Sequence, residues 1–313
     1  MQENKEKVFV IINSYRVGDI LLTNPMIQNI KRIYKNSKIV MLTSPNLVDV
    51  AKYQEGVDDV IIWDRHGENK GFWKTLKFAL NFPYKKVYAA IPVYGMDRPV
   101  ILSQLLGAKH ILSISRSFIS SFLRKSKYKI KYVPDNVAES HISLLSGITK
   151  EELKTVPMIY YAQNCAADFI PKQKYVVICP TSSRKEKDMP YETLVEVIKS
   201  IGLTTILVGN GKEANIISEN IKKENLENLV DLTGKTNISQ VADIMSKAEA
   251  IVSVDTGTLH LACALNKPII ALFYNKADNF IPDSKIYNCK LVQDKTPENI
   301  VQTVQSLIKE EMS

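Results

Sequence analysis

The sequence predicts an α/β protein of two Rossmann-like units, on three observations. Short β-branched apolar runs alternate with segments of helical periodicity, the alternation starts afresh halfway along, and 313 residues is roughly twice a typical domain length. Strands are expected at 8–13, 38–43, 60–63, 86–91 and 110–114, with helices at 20–34, 72–80 and 99–106; the first helix carries Ile20, Met26, Ile27, Ile30 and Ile33 at helical spacing. The second half repeats the logic, with strands at 175–179, 204–208, 229–232, 250–254 and 268–273. Its helices are expected at 191–200, 213–223, 238–246, 258–265 and 297–309. The join is placed in 160–174, where Gln163, Asn164, Pro171 and Lys172 interrupt the periodicity, giving domains 1–165 and 166–313. Two such domains facing each other put ligand sites in the cleft at the carboxyl ends of their strands.

Composition narrows the class. With 45% hydrophobic and 24% charged residues, 12 Gly and 13 Pro, the chain is neither collagen-like nor disordered. No run approaches the roughly 20 apolar residues that span a bilayer, and a charged start leads straight into a strand, so neither a membrane span nor a signal peptide is expected. Cys165, Cys179, Cys263 and Cys289 are scattered without a Cys-x-x-Cys pair, which suits reduced thiols of a cytoplasmic protein. The net charge of +8 is uneven: residues 1–165 hold 24 Lys and Arg against 14 Asp and Glu, and residues 166–313 hold 17 against 19. The first half is expected to face something anionic, whether nucleic acid, a membrane surface or a phosphorylated glycolipid.

The loops after strands carry the candidate chemistry. The first reads Asn13-Ser14-Tyr15-Arg16-Val17-Gly18-Asp19 and lacks a Gly-x-Gly-x-x-Gly, which removes the main support for a dinucleotide-dependent dehydrogenase. Asp19 reads either as a helix N-cap or as a general base held at the mouth of a cleft. In the second half, Thr181-Ser182-Ser183-Arg184-Lys185-Glu186-Lys187 sets hydroxyls before cations, a combination that suits a phosphate or a merely solvated basic loop. Gly209-Asn210-Gly211-Lys212-Glu213 is a Gly-rich turn whose Glu213 could accept hydrogen bonds from a ribose diol. The strongest local signal is Ser253-Val254-Asp255-Thr256-Gly257-Thr258-Leu259-His260, a strand entering a turn and leaving as a helix whose first amides would suit an anion. Asp-Thr-Gly also occurs in aspartic proteases, but those need a paired carboxylate in an all-β setting. His260 reads equally as a packed histidine or a ligand contact.

Taken together and in this order, these loops resemble glycosyltransferase family nine, the bacterial heptosyltransferases of the lipopolysaccharide inner core. The matching elements are Val17-Gly18-Asp19 with Pro25, Lys187-x-x-Pro190, Asp231-Leu232-Thr233-Gly234-Lys235-Thr236, and Ser253 through Ala262. The resemblance implies a GT-B architecture, an ADP-heptose donor held mainly by the C-terminal domain, and inversion at the anomeric carbon with no required metal or cofactor. It makes Asp19 the catalytic base and Lys187 the diphosphate-binding lysine. It sets Ser182 and Ser183 at phosphate, Glu213 near the ribose, Thr236 beside the adenine, and Asp255, Thr256, Gly257, Thr258 and His260 at the donor's sugar and phosphates. One departure stands out: the family's usual Lys-x-Trp-Pro is here Lys187-Asp188-Met189-Pro190.

Two alternatives stay open on sequence alone. One keeps the fold but takes another nucleotide sugar for a capsule or other surface glycan; the other is a noncatalytic glycan-binding homologue. No nucleic-acid-binding motif accompanies the positive charge. Residues 116–131 hold six cations (Arg116, Arg124, Lys125, Lys127, Lys129, Lys131) and no acid, interleaved with Phe118, Ile119, Phe122, Leu123, Tyr128 and Ile130. The segment is expected either to face a lipid A-core acceptor and the anionic inner membrane, making the protein cytoplasmic but peripherally bound, or to be a solvated loop whose apolar residues pack on the domain.

Overall fold

The computed structural model describes residues 6–133, 136–275 and 280–312. The chain forms two compact units, Met1–Met158 and Ile159–Ser313. The division falls ahead of the expected join because the segment that follows Met158 is bonded into the second unit. The Tyr160 amide donates to Ala264 O, and the buried Asp243 carboxylate accepts from the amides of Cys165 and Ala166 at 2.9 and 2.8 Å.

The first unit runs β1 (Lys7–Ile12), α1 (Val17–Leu21), α2 (Asn24–Ile33), β2 (Ser37–Thr43), α3 (Val48–Lys52), β3 (Asp59–Ile62), α4 (Phe72–Leu80), β4 (Val87–Pro92), α5 (Asp97–Leu105), β5 (His110–Ile111), α6 (Phe118–Leu123) and α7 (Val137–Ser143). Its sheet is parallel, in the order β3-β2-β1-β4-β5. The central strand β1 is buried on both faces, which is why it reads as an unbroken apolar run rather than an alternating one. The single helix expected at 20–34 is two. Pro25 has no N–H to continue the ladder, and the Thr23 hydroxyl donates to Ile20 O at 2.6 Å, closing α1 before α2 begins. Helix α6 lies inside the basic segment 116–131 and is started by a reciprocal capping box between Ser117 and Ser120.

The second unit runs β6 (Tyr175–Cys179), α8 (Tyr191–Ser200), β7 (Thr204–Leu207), α9 (Lys212–Ile221), β8 (Leu229–Asp231), α10 (Ile238–Ser246), β9 (Ala250–Val254), α11 (Gly257–Ala264), β10 (Ile269–Leu272), β11 (Cys289–Val292) and α12 (Pro297–Met312). Its parallel sheet has the order β11-β10-β9-β6-β7-β8. Edge strand β11 was not anticipated: Cys289-Lys290-Leu291-Val292 is short and carries a lysine, as an edge strand can. None of the four cysteines is joined in a disulfide among the described residues.

Strand order reverses once in each sheet, between β1 and β4 and between β6 and β9. At such a reversal the helices that follow the two strands go to opposite faces, leaving a crevice at the carboxyl edge. Asp19 follows β1 and Lys187 follows β6, so each unit has a candidate residue at its own reversal.

Asp243→Ala should lower the thermal midpoint of the second unit's transition without changing its secondary structure. Stranding the Cys165 and Ala166 amides in a partly buried turn costs about 1–3 kcal/mol, a loss that circular-dichroism melting would read.

Candidate functional site

In the first unit, Asp19 sits in the first turn of α1. Arg16 is the extended N-cap residue, which corrects the reading of Asp19 itself as the cap. The Asp19 carboxylate reaches back to the Arg16 amide and accepts a hydrogen bond from the Tyr94 hydroxyl at Oδ1. Asn13 fixes the same turn by donating from Nδ2 to Asp19 O at 2.8 Å. Burial raises the Asp19 pKa above the ordinary carboxylate value, against the opposing pull of the Tyr94 hydrogen bond and the Arg16 charge. Tyr94 follows β4, across the strand-order reversal from Asp19. It is aimed by Gly95, whose φ of +62° and close approach to Ile114 O leave no room for a Cβ.

Around this pair the side chains are aromatic and cationic. The Tyr15 ring meets Tyr94 edge-on at 4.4 Å, and the buried His141 ring meets it at 5.6 Å. The Arg65 guanidinium lies 4.8 Å over Tyr15 and that of Arg116 lies 5.9 Å over Tyr94. Arg116 therefore belongs to the rim of the Asp19 site as well as to the basic segment. Arg124, Lys125 and Lys127 are exposed; the Lys125 backbone bridges to Ile111, and the Lys127 ammonium lies 5.0 Å over Tyr128. Lys129 and Lys131 line a separate hollow of about 780 Å³ together with Tyr128, Ser146 and Lys150. The apolar residues do not all pack on the domain: Phe118 and Phe122 are 86% and 77% exposed.

In the second unit, loops after four strands meet at the carboxyl edge. Buried Lys187, in a short turn after β6, places Nζ 2.5 Å from Oδ2 of Asp255, which follows β9. Gly234, after β8, donates to Gly209 O at 2.9 Å, after β7. A Cβ on Gly209 would sit 3.2 Å from Thr181 Oγ1 and 3.0 Å from Ala214 Cβ, tighter than an ordinary contact, so a side chain there would press these loops apart by a few tenths of an ångström. Glu213, in the first turn of α9, stands 4.0 Å from Lys185. Ser182 is a brace rather than an open hydroxyl: it donates to Arg184 O, accepts from Arg184 N, and its own amide is held by Asp188 at 2.6 Å. Ser183 beside it is exposed, and Thr236 is half-buried one residue before the Asn237 cap of α10.

Helix α11 starts at Gly257 from an extended Thr256 and has no side-chain cap, so its first amides are suited to an anion. Ser253 lies 3.4 Å from the Thr258 hydroxyl. His260, one turn along, is buried against Phe280 with ring centroids 4.6 Å apart, and among the described residues its Nδ1 has no hydrogen-bond partner. Burial holds its pKa down to about 4, so the ring is neutral at physiological pH even beside Asp255. Met189, where the resembled motif carries tryptophan, is buried in the core cluster with Ile178, Leu194 and Val254. The departure is thus a change of packing beneath the loop. Among the described residues no group of three or more His, Cys, Asp or Glu side chains converges as a metal-binding cluster.

Residues 19 and 187 were legible in the sequence, but their partners were less so. Tyr94 was missed, although it stands in the loop after the expected strand 86–91, a position of the same kind as that of Asp19. Phe280 lies far along the chain from the His260 motif and gave no local signal.

Two parallel α/β units, each with its candidate loops at the carboxyl edge of its sheet, make up a GT-B-like fold. The sequence pattern of "Glycosyltransferase family 9 (heptosyltransferase)" matches residues 98–304, and the chain belongs to that family. The lipooligosaccharide heptosyltransferase 2 of Haemophilus influenzae is 22% identical over 302 residues, covering 87% of this chain and 85% of that protein. A lipopolysaccharide heptosyltransferase 3 of Escherichia coli is 24% identical over 279 residues, covering 82% of this chain and 80% of that one. Among solved structures, a family 9 glycosyl transferase from Veillonella parvula superposes with a TM-score of 0.82 at 16% identity, covering 99% of both chains. The E. coli ADP-heptose LPS heptosyltransferase II gives 0.78 at 18%, covering 98% of this chain and 100% of that one.

Removing the Tyr94 hydroxyl isolates its effect on Asp19. Because the hydrogen bond favours the ionised carboxylate, Tyr94→Phe should move the Asp19 titration further up in pH, leaving less carboxylate at any given pH. Carboxyl-carbon NMR titration of wild type and variant reads the shift; an unchanged or lower midpoint would contradict the assigned hydrogen bond.

Proposed function

We propose that this protein transfers a heptose from ADP-heptose to an inner-core acceptor of lipopolysaccharide or lipooligosaccharide, with inversion at the anomeric carbon. The observation that carries the reading is the meeting of Lys187, Asp255 and the uncapped start of α11 at the strand-order reversal of the second unit. A nucleoside diphosphate needs a cation and oriented amides at one point, and these supply both. An E. coli relative of the same fold was solved with ADP-2-deoxy-2-fluoro heptose and also with ADP, which supports the choice of donor.

In this reading Asp19 removes the proton of the acceptor hydroxyl as that oxygen attacks the anomeric carbon, and the bond to the β-phosphate oxygen breaks with its electrons going to ADP. The raised pKa of Asp19 suits a base that must accept a proton, while the Tyr94 hydrogen bond favours its ionised form and opposes that rise. Lys187 and the amides of Thr256, Gly257 and Thr258 take up the charge growing on the departing diphosphate. For Lys187 to do so, Asp255 must share or release it, and the donor's hydroxyls are the natural new partners for that carboxylate. Glu213 serves the ribose, and Thr236 lies by the adenine. Ser183 and the braced Ser182 loop face the phosphates, and His260, neutral and packed, supports the turn that presents Asp255.

The first unit then takes the acceptor, and the segment 116–131 faces a phosphorylated glycolipid at an anionic bilayer. The exposure of Phe118 and Phe122 among six cations supports this, since each cation near such a surface contributes about 1 kcal/mol. No helix among the described residues is long and apolar enough to cross a membrane. Attachment of this kind is peripheral, at the cytoplasmic face of the inner membrane.

Asp19→Asn should cut transfer by roughly 100- to 10,000-fold while leaving the calorimetric affinity for ADP close to wild type. Lys187→Ala should weaken both ADP binding and turnover. Wild-type turnover in Asp19→Asn would end the general-base assignment. Titration of the wild-type protein should favour ADP over UDP and NAD, and a preference for UDP would point instead to another nucleotide sugar.

A further inference from the structure

The basic segment 116–131 is not the only stretch of the first unit that puts aromatic rings in water. Helix α4 opens on Phe72 and Trp73, which are 56% and 78% exposed, and closes on Leu80, which is 69% exposed. Phe72, half-buried Leu76 and Leu80 recur every four residues, so the apolar stripe of this helix reaches solvent at both its ends while Thr75 and Ala79 take the buried side. A helix that serves only as a layer over a sheet places its apolar stripe inward. The lysines are placed to match: residues 70–86 contain Lys70, Lys74, Lys77, Lys85 and Lys86 and no acidic residue.

Helices α4 and α6 are also tied into one rim. Helix α5 packs against both of them. In its first turn, Arg98 donates to Arg65 O at 3.0 Å and to Asn69 O at 3.3 Å, holding the loop that leads into α4. The neighbouring Asp97 accepts from the hydroxyl of Ser117, the N-cap residue of α6. The N-termini of α4, α5 and α6 are thereby stitched side by side at the carboxyl edge of the sheet, the edge that carries Asp19. Phe72 and Trp73 begin one flanking helix and Phe118 begins the other.

We propose that α4 is a second membrane-contacting helix, and that the first unit rests on an anionic bilayer through the paired N-termini of α4 and α6. Phe72 and Trp73 enter the headgroup region beside Phe118 and Phe122, and the lysines of both segments meet lipid phosphates. The charge selects this occupant: two acid-free cationic segments with exposed rings, with Glu68 the acid beside Lys74 and Lys77, match an anionic interface, where tryptophan is a favoured anchor. Two contacts fix an orientation that one cannot, and this orientation turns the Asp19 edge toward the plane from which a lipid-anchored hydroxyl would be offered. The proposal rests on the membrane reading of segment 116–131 given above.

The chain's two tryptophans make the test direct, because Trp63 is fully buried whereas Trp73 is exposed. Full-length protein is mixed with phosphatidylglycerol vesicles or phosphatidylcholine vesicles. Co-sedimentation, tryptophan emission and quenching by brominated lipid are recorded together. The expected result is binding to phosphatidylglycerol, with a blue shift and quenching that vanish in Trp73→Phe. In Phe72→Ser/Trp73→Ser vesicle affinity should fall about tenfold or more while ADP affinity is unchanged. Binding to phosphatidylglycerol with Trp73 emission and quenching unaltered would overturn the role of α4 and leave the segment 116–131 as the sole contact. No binding to either vesicle would overturn both readings. A blue shift that grows with protein concentration in the absence of lipid, with dimers in sedimentation velocity, would assign the α4 face to a second copy and also overturn the proposal.

Discussion

Parallel pairing of the central strands, β1 with β4 and β6 with β9, is the constraint on which the candidate sites depend. Strands that all point one way deliver every following loop to the same edge, and a single reversal of order opens that edge between two particular loops. In the first unit those loops bring Asp19 to Tyr94; in the second they bring Lys187 to Asp255. Each pair joins residues far apart in sequence, about 75 positions in one and 68 in the other, through nothing more local than strand order. The apolar, β-branched runs that make the strands are therefore also what assemble the polar chemistry.

The two pairs are electrostatically different, and the difference matches the roles proposed for them. Asp19 is a single carboxylate, raised in pKa by burial and held by a neutral hydroxyl, so it can exchange a proton. Lys187 and Asp255 are opposite charges withdrawn from water, with side chains only 7% and 9% exposed. Taking such a pair out of water costs several kcal/mol per ion before its attraction is counted. A pair of this kind contributes little to stability and is better suited to being rearranged by a charged ligand. His260, kept neutral by its packing against Phe280, adds no third charge to that balance.

Much of this was legible in the sequence because periodicity is local. Helices α8 and α10 fall where their periodicity sets them, since a helix buried on one face must repeat its apolar residues at the matching period, and β6 and β9 fall on short unbroken apolar runs, as strands buried on both faces do. The motifs in the loops after strands pointed to Asp19, Lys187 and Asp255 as candidates, because such loops keep a fixed order along the chain. What was not legible depends on partners distant in the chain. The split of 20–34 into α1 and α2 turned on one proline and one threonine hydroxyl. Tyr94 gains meaning only from its neighbour across the sheet. Ser182 looked like a phosphate ligand by residue type, but its hydroxyl closes its own turn. The stripe of α4 that reaches solvent at its ends has the same sequence periodicity as a core-facing one, so only its exposure separates them.

The most direct test of the account is the proton NMR spectrum of the product isolated after incubation of the purified protein with ADP-heptose and a heptose-deficient lipooligosaccharide acceptor. The account predicts one added heptose whose anomeric configuration is opposite to that in the donor. A product that retains the donor's configuration would contradict the single displacement, and an acceptor recovered without added heptose would contradict the transfer itself.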